Sequence, residues 1–268
     1  MRTANLLRNW AAAGLWLAAG TALLGAAACN LQIGTGIEAR ETWTRTYPVS
    51  AGATLDVKET NGRITVEAVD AEAISVTATI VVKAATEEAA RAAAKDHKIE
   101  ETSSADRVAL DGTGKGLQIA IGLSRHIEYD IKVPKSTNVT LRVTNGDVDV
   151  RGIEGFLRVE GTNGRIAADA LGSGADVTST NGRVALAFAK IGSSGVRCKT
   201  VNGQIIVTVP TTASATIAGR VMNGRIATEN LSITATEESR RRLDATIGGG
   251  GPEIRLETTN GEVRIVGR

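Results

Sequence analysis

The sequence predicts an all-β chain, a parallel β-solenoid of coils 18–21 residues long, and three observations predict it. Asn-Gly occurs at 61–62, 145–146, 163–164, 181–182, 202–203, 223–224 and 260–261, with successive spacings of 84, 18, 18, 21, 21 and 37. The flanks repeat with it: Glu59-Thr-Asn-Gly-Arg-Ile-Thr-Val, Val143-Thr-Asn-Gly-Asp-Val-Asp-Val, Ser179-Thr-Asn-Gly-Arg-Val-Ala-Leu and Thr258-Thr-Asn-Gly-Glu-Val-Arg-Ile are four of the seven copies. Apolar residues alternate with polar ones on both sides of every copy. A fixed period near ~20 residues marks a repeat architecture, and alternation of period two marks half-buried strands.

Aligned on the Asn, four inward columns emerge. Six residues before it stand Leu55, Val139, Leu157, Ala175, Val196, Ile217 and Ile254; four before it stand Val57, Leu141, Val159, Val177, Cys198, Gly219 and Leu256. Three after it stand Ile64, Val148, Ile166, Val184, Ile205, Ile226 and Val263; five after it stand Val66, Val150, Ala168, Leu186, Val207, Thr228 and Ile265. Two architectures satisfy this pattern. An antiparallel β-meander would use each Asn-Gly as a two-residue hairpin turn, with positive φ at both residues. A solenoid would use each as the corner of a coil, stacked on the next at about 4.8 Å. A further apolar site at Ile153, Leu171 and Ile191, each followed within two residues by Gly, gives every period a third buried side and favours the solenoid. A meander of this length would also leave its apolar face uncovered.

In chain order, residues 1–28 hold Arg2 and Arg8 and no acid, and the run from Trp10 to Ala28 carries no charge. A basic start, an apolar stretch and a small-residue end predict an export signal. Ala27-Ala28-Cys29 resembles the lipobox of bacterial lipoproteins, which implies a lipid on Cys29 and a chain held at a membrane surface. Residues 29–44, with Gly34 and Gly36 and no periodicity, predict a tether. Residues 45–134 predict an N-terminal β region, either a cap or degenerate coils. Within it, Thr54–Val69 reads as strand, turn and strand, Ile74–Lys83 as a strand, and 107–110, 117–121 and 127–133 as further strands. Residues 86–97 predict the one helix: Ala-rich, with Thr86 as cap, acids first and a base near the end. Residues 135–268 predict the regular solenoid, interrupted by a charged loop at Glu237–Leu243.

The repeated Thr-Asn-Gly-x-Val/Ile-x-Val resembles the bacterial DUF4097 group, whose members carry a predicted adhesin label. The tract Tyr129-Asp-Ile-Lys-Val-Pro134 before Leu141-Arg-Val-Thr-Asn-Gly is similar to that group, and so is Gly248-Gly-Gly-Gly-Pro before Ile254-Arg-Leu-Glu-Thr-Thr-Asn-Gly. The resemblance spans roughly residues 45–268. It implies a right-handed β-solenoid on the cell envelope and brings no catalytic residues with it.

Charge and motifs narrow the function. Without residues 1–28 the chain holds 29 basic and 29 acidic residues, and aromatics are 3%, so neither electrostatics nor base stacking favours nucleic acid. Cys198 falls in an inward column and reads as a small buried hydrophobe. His97 and His126 have no Cys or His at ligand spacing and read as surface residues; no metal or cofactor is expected. Asp147 and Asp149 share one outward face, with Asp169 and Asp176 on neighbouring coils, which raises Ca²⁺ binding or polysaccharide cleavage as rivals. The matching outward positions of other coils, however, carry Arg165, Arg183, Gln204, Arg225 and Glu262, a mixed ladder rather than an acidic groove. Arg63, Arg165, Arg183 and Arg225 follow the Gly and could face an anionic glycan or lipid head group. Gly248–Gly251 lacks the Lys and the following helix of a phosphate loop. The expected protein is a non-catalytic, lipid-anchored module of the bacterial envelope, on the periplasmic face or the cell surface, that binds or scaffolds a glycan or protein partner. The alternatives are a polysaccharide-active β-helix enzyme and an envelope-stress or assembly factor acting through protein contacts.

Overall fold

A Gly with positive φ follows each of the seven Asn residues and turns the chain from one sheet into the other: Gly62, Gly146, Gly164, Gly182, Gly203, Gly224 and Gly261 have φ between 131° and 159°. None of the seven Asn residues has positive φ, which rules out the type I′ hairpin turn and with it the meander. The architecture is a parallel β-solenoid, seen in a computed structural model that describes residues 36–114 and 123–268. The export signal expected over residues 1–28, Cys29 and the strand expected at 117–121 lie outside the described residues.

The elements run β1 (Ile37–Pro48), β2 (Thr54–Val69), β3 (Ala73–Ala84), α1 (Glu87–Asp96), β4 (Glu100–Ser104), β5 (Arg107–Asp111), β6 (Ser124–Pro134), β7 (Asn138–Asn145), β8 (Val148–Arg151) and β9 (Leu157–Asn163). They continue with β10 (Ile166–Leu171), β11 (Ala175–Asn181), β12 (Val184–Phe188), β13 (Val196–Asn202), β14 (Ile205–Val209), β15 (Ala215–Glu229), β16 (Ile233–Glu238), β17 (Arg242–Ile247) and β18 (Glu253–Gly267). The first sheet stacks the strands before each corner, β7, β9, β11 and β13, in parallel register, with Val139 beside Leu157 and Val177 beside Cys198. The second stacks β8, β10, β12 and β14, with Val148 beside Ile166 and Val184 beside Ile205. The inward columns are buried as the alternation requires, from Leu55 and Val57 through Leu256 and Ile265. Ile153 and Leu171 close the third side, and Ile191 is half-buried against them.

The coils do not stack in chain order. β18 pairs in parallel with β13 and β14 on one side and with β15 on the other. The last coil in sequence therefore lies between its two predecessors, and Asn260 stands between Asn202 and Asn223. The 37-residue interval before Asn260 is filled by β16 and β17, an antiparallel pair that flanks the first half of β15. The charged loop expected at 237–243 is thus the tip of a hairpin, and the expected regular solenoid over 135–268 contains an antiparallel arm. Thr234 through Glu238 and Arg242 are all exposed and show no alternation, which is why the segment reads as a loop.

The other end combines both expectations for 45–134. β5 and β6 lie parallel to the two halves of β2, Leu55 beside Val108 and Ile64 beside Tyr129, as one rung without an Asn-Gly corner. Antiparallel β4 covers β5, and antiparallel β3 and β1 cover β6. The helix is as expected: the Thr86 hydroxyl accepts from the Ala89 N–H at 3.2 Å, and Ala90 and Ala94 face β1 and β3. Residues 29–35 of the tether expected over 29–44 lie outside the described residues, and from Ile37 the chain is already in β1. That strand is an edge whose Glu38, Arg40, Glu41 and Arg45 stay in solvent, so it shows little alternation.

The corner glycines cannot carry side chains. A Cβ on Gly164 would overlap the carbonyl oxygen of Gly146, one on Gly182 that of Gly164, and one on Gly203 that of Gly182. Gly182→Ala is expected to cost about 3 kcal/mol or more in urea unfolding, since two coils must part as well as strain the backbone. Gly52→Ala, with φ 78° but open space around it, should cost only about 1 kcal/mol. Equal losses at the two positions would contradict the stacking account.

Candidate functional site

The corner itself is a polar ladder. Six of the seven Asn side chains donate from Nδ2 to the Oδ1 of the neighbouring rung, and Asn61 at the end of the ladder accepts: Asn145 to Asn61, Asn163 to Asn145, Asn181 to Asn163, Asn202 to Asn181, Asn260 to Asn202 and Asn223 to Asn260, at 2.8–2.9 Å. The Gly N–H groups join the same stack, Gly146 donating to the Asn163 carbonyl and Gly203 to the Asn260 carbonyl, both at 2.9 Å. Just before the Asn, the outward column in spatial order reads Thr60, Thr144, Thr162, Thr180, Val201, Thr259 and Met222. Met222, at 64% exposure, is its most prominent apolar group.

Just after the Gly, the outward column reads Arg63, Asp147, Arg165, Arg183, Gln204, Glu262 and Arg225 in spatial order. Of the three arginines singled out from the sequence only Arg165 and Arg183 are neighbours: Gln204 already separates Arg183 from Arg225 in chain order, and the intercalated β18 adds Glu262 between Gln204 and Arg225. Arg165 reaches both Asp149 (3.1 Å) and Asp147 (4.0 Å), and Arg63 lies 3.7 Å from Asp147. Arg225 pairs with Glu262 at 3.0 Å, and Gln204 donates to the other carboxylate oxygen at 3.2 Å. Arg225 and then Arg264 hold Glu262 below the usual carboxylate range. Arg183 makes no ion pair among the described residues. Asp169 and Asp176 point to different cations, Arg268 and Arg158.

Behind this column, the outer face of the second sheet carries a shallow trough of about 450 Å³. Ala167, Ala185, Ala187 and Ile206 floor it, and Asp149, Arg151, Arg165 and Asp169 form its rim. Alanines on two successive rungs, beside the long charged side chains of the rim, produce the concavity.

A second polar cluster lies inside the N-terminal end. Glu59 stands two residues before its Asn, an inward position held elsewhere by Val143, Gly161, Ser179 and Thr200, and is 3% exposed. Its Oε1 accepts from the Thr60 and Asn61 N–H groups at 2.9 and 3.1 Å. Oε2 and the buried Tyr129 hydroxyl both border Gly112, where neither leaves room for a Cβ. Burial pushes the Glu59 carboxyl up to about 7, and it raises the Tyr129 hydroxyl above its ordinary range. His97, expected on the surface, is 5% exposed because it ends α1 against the core; burial, and then Arg125, lower its imidazole to about 4. His126 is half-exposed, 3.7 Å from Glu128. The acid in an inward column was the available sequence signal for Glu59; no pattern marks His97. Cys198 lies where expected, fully buried and unpaired, with its thiol pushed up by burial.

Glu59 and His97 pull stability in opposite directions with pH. The raised Glu59 contributes stability that is lost as pH rises from 4.5 to 7; the lowered His97 contributes stability that is lost as pH falls from 6.5 to 4. Between pH 4.5 and 6.5 the two slopes oppose each other. In urea titrations, Glu59→Gln should therefore make stability rise with pH over 4–6.5, and His97→Gln should make it fall over 4.5–7. Unchanged slopes in both variants would contradict the buried charges. In the ladder, Asn163→Ala removes one donated and one accepted bond and should cost about 1–3 kcal/mol. Asn163→Asp should cost more at pH 7 and recover toward acid, because a carboxylate there faces the Asn145 carbonyl oxygen.

No helix among the described residues is long and apolar enough to cross a membrane, and no three His, Cys, Asp or Glu side chains among them converge as a metal site. Among curated proteins, none matches the chain. Two solved structures are similar at low identity. A "putative cell adhesion protein" from Clostridium sporogenes shares 11% identity with a TM-score of 0.46, over 87% of this chain and 100% of that one. A "putative adhesin" from Bacteroides fragilis shares 13% identity with a TM-score of 0.42, over 85% and 97%. The family description Toastrack DUF4097 matches residues 48–266. That match contains all seven Asn-Gly rungs, and the chain belongs to the Toastrack DUF4097 family.

Proposed function

We propose that this chain is a non-catalytic module of the bacterial envelope, held to a membrane by a lipid on Cys29, whose long faces bind or scaffold a partner. The observation that carries the reading is the neutralised ladder beside the corner. Arg165 engages both Asp147 and Asp149, so the two carboxylates best placed for sugar chemistry or Ca²⁺ are spent on one guanidinium. What remains outward is a flat, rigid surface of Thr, Asn and paired charges, suited to contact over length rather than to enclosing a substrate. The trough floored by Ala167, Ala185, Ala187 and Ile206 favours a protein partner over a glycan, because an apolar floor rewards side-chain burial. Arg183, with no ion pair among the described residues, is the cation of this face most open to an anionic group.

Intact mass and membrane fractionation of the native protein, beside Cys29→Ser, test the anchor. Acyl mass in the membrane fraction, with a soluble variant, is the expected result; unmodified wild type free of membranes would remove the anchor from the reading. Asp147→Asn and Asp149→Asn should leave any partner capture unchanged, and loss of a glycan-cleaving activity in either would favour the enzyme instead.

A further inference from the structure

The out-of-order coil carries a consequence for how copies of this chain meet. Asn181 and Asn202 are 21 residues apart and stack directly, and Asn202 and Asn223 are also 21 residues apart, yet β18 separates them. Residues 210–214, five in number, join β14 to β15 across two rungs, while residues 189–195, seven in number, join β12 to β13 across one. The chain is thus long enough for β15 to sit directly on β13 and β14. Every rung offers the same partners in that register: Asn on Asn, Gly on Gly, and Ile226 on Ile205. The slot that β18 fills is therefore one that β15 could close by itself, and β18 holds it open.

β18 reaches the slot by a single path. β17 and β18 flank the first half of β15 on opposite sides, with Ile247 beside Ala215 and Glu253 beside Thr216. The connection must cross the start of β15, and it does so through Gly248–Gly251. Gly248, Gly250 and Gly251 have φ of 55°, 77° and 144°, and Gly248 lies against Ser214 and Ala213. Four glycines followed by Pro252 make a hinge with little preference of its own. Released from the slot, β18 exposes Ile254, Leu256, Val263 and Ile265, all fully buried in place. These side chains fit the repeating columns of any copy.

We propose that β18 is an exchangeable coil, which fills the slot between β13–β14 and β15 of a second copy of this chain as well as its own. The partner is the same protein, recognised by the Asn-Gly register and the inward columns, and the exchange joins two copies through one continuous rack. This inference does not depend on the lipid anchor or on the ligand of the outer faces.

Thr200 and Thr258 are register partners in adjacent strands, and both are buried. Neighbouring parallel strands bring Cα atoms to a separation that a disulfide spans. In full-length protein carrying Cys29→Ser and Cys198→Val, the latter matching Val159 and Val177 on equivalent rungs, one preparation receives Thr200→Cys and another Thr258→Cys. The two are mixed, unfolded, refolded together and oxidised. The expected result is a disulfide-linked product of twice the chain mass, at least tenfold above either preparation oxidised alone. A single chain carrying both substitutions is the control and should form the bond within itself. If the control closes and the mixture yields only unlinked chains, the exchange is wrong. If the control fails to close, the register assigned to β18 is wrong and the proposal falls with it.

Discussion

The absence of a Cβ at seven corners governs this structure. Each corner carbonyl occupies the place where the next Gly would carry a side chain, so the rungs approach each other only if every corner lies directly over its neighbour. Side chains alternate with period two, and a slip by one residue would turn every inward column outward. The glycine stack forbids that slip. The Asn ladder follows from it, because amides on successive corners fall at hydrogen-bonding distance only when the corners are superposed. So do the columns of Val, Ile and Leu, which repeat at the same offsets from the corner on every complete rung.

A stack so regular has to be stopped. In the first sheet, β4 at one end and the β16–β17 hairpin at the other change the strand direction from parallel to antiparallel. In the second sheet, β3 and β1 do the same at the N-terminal end. At the opposite end the second half of β15 has no further strand among the described residues. Ile226 and Thr228, inward by position, are only half-buried there, while Arg225 and Glu229 place charge along the edge. A short, charged final strand discourages further pairing. The cost of an exposed edge is thus met by reversal of direction at three ends and by charge at the fourth.

Much of the rack was legible from the chain alone. The corners, the four inward columns, the third side at Ile153 and Leu171, the burial of Cys198 and the helix capped by Thr86 all follow from local pattern, and each depends on neighbours close in sequence or on the repeat itself. The order of the last two coils was not legible. Asn223 and Asn260 sit in equivalent motifs, and what decides between them is the hairpin β16–β17, a tertiary event that leaves no mark on either motif. The same event set Glu262 between Gln204 and Arg225 and moved Arg225 one rung further from Arg183. The edge strand at 37–48 escaped notice because solvent takes most of its side chains and no alternation results. His97 escaped because one residue at the end of a helix has no periodicity to betray which way it faces.

Asn followed by Gly is also the dipeptide whose side-chain amide is most readily lost in an unfolded chain, where an unhindered glycine nitrogen can attack the neighbouring carboxamide. This chain contains that reactive pair seven times. In the folded rack the pair is held apart from its own chemistry: corner nitrogens such as those of Gly146 and Gly203 already donate to the carbonyl of the next coil, and the carboxamides bond to one another. An amide lost here would put a negative charge into a neutral ladder and, where the backbone rearranges, add a methylene to the corner. The feature that gives the rack its register therefore also couples its chemical lifetime to its folded state. The molecule ages mainly in the moments when it is open.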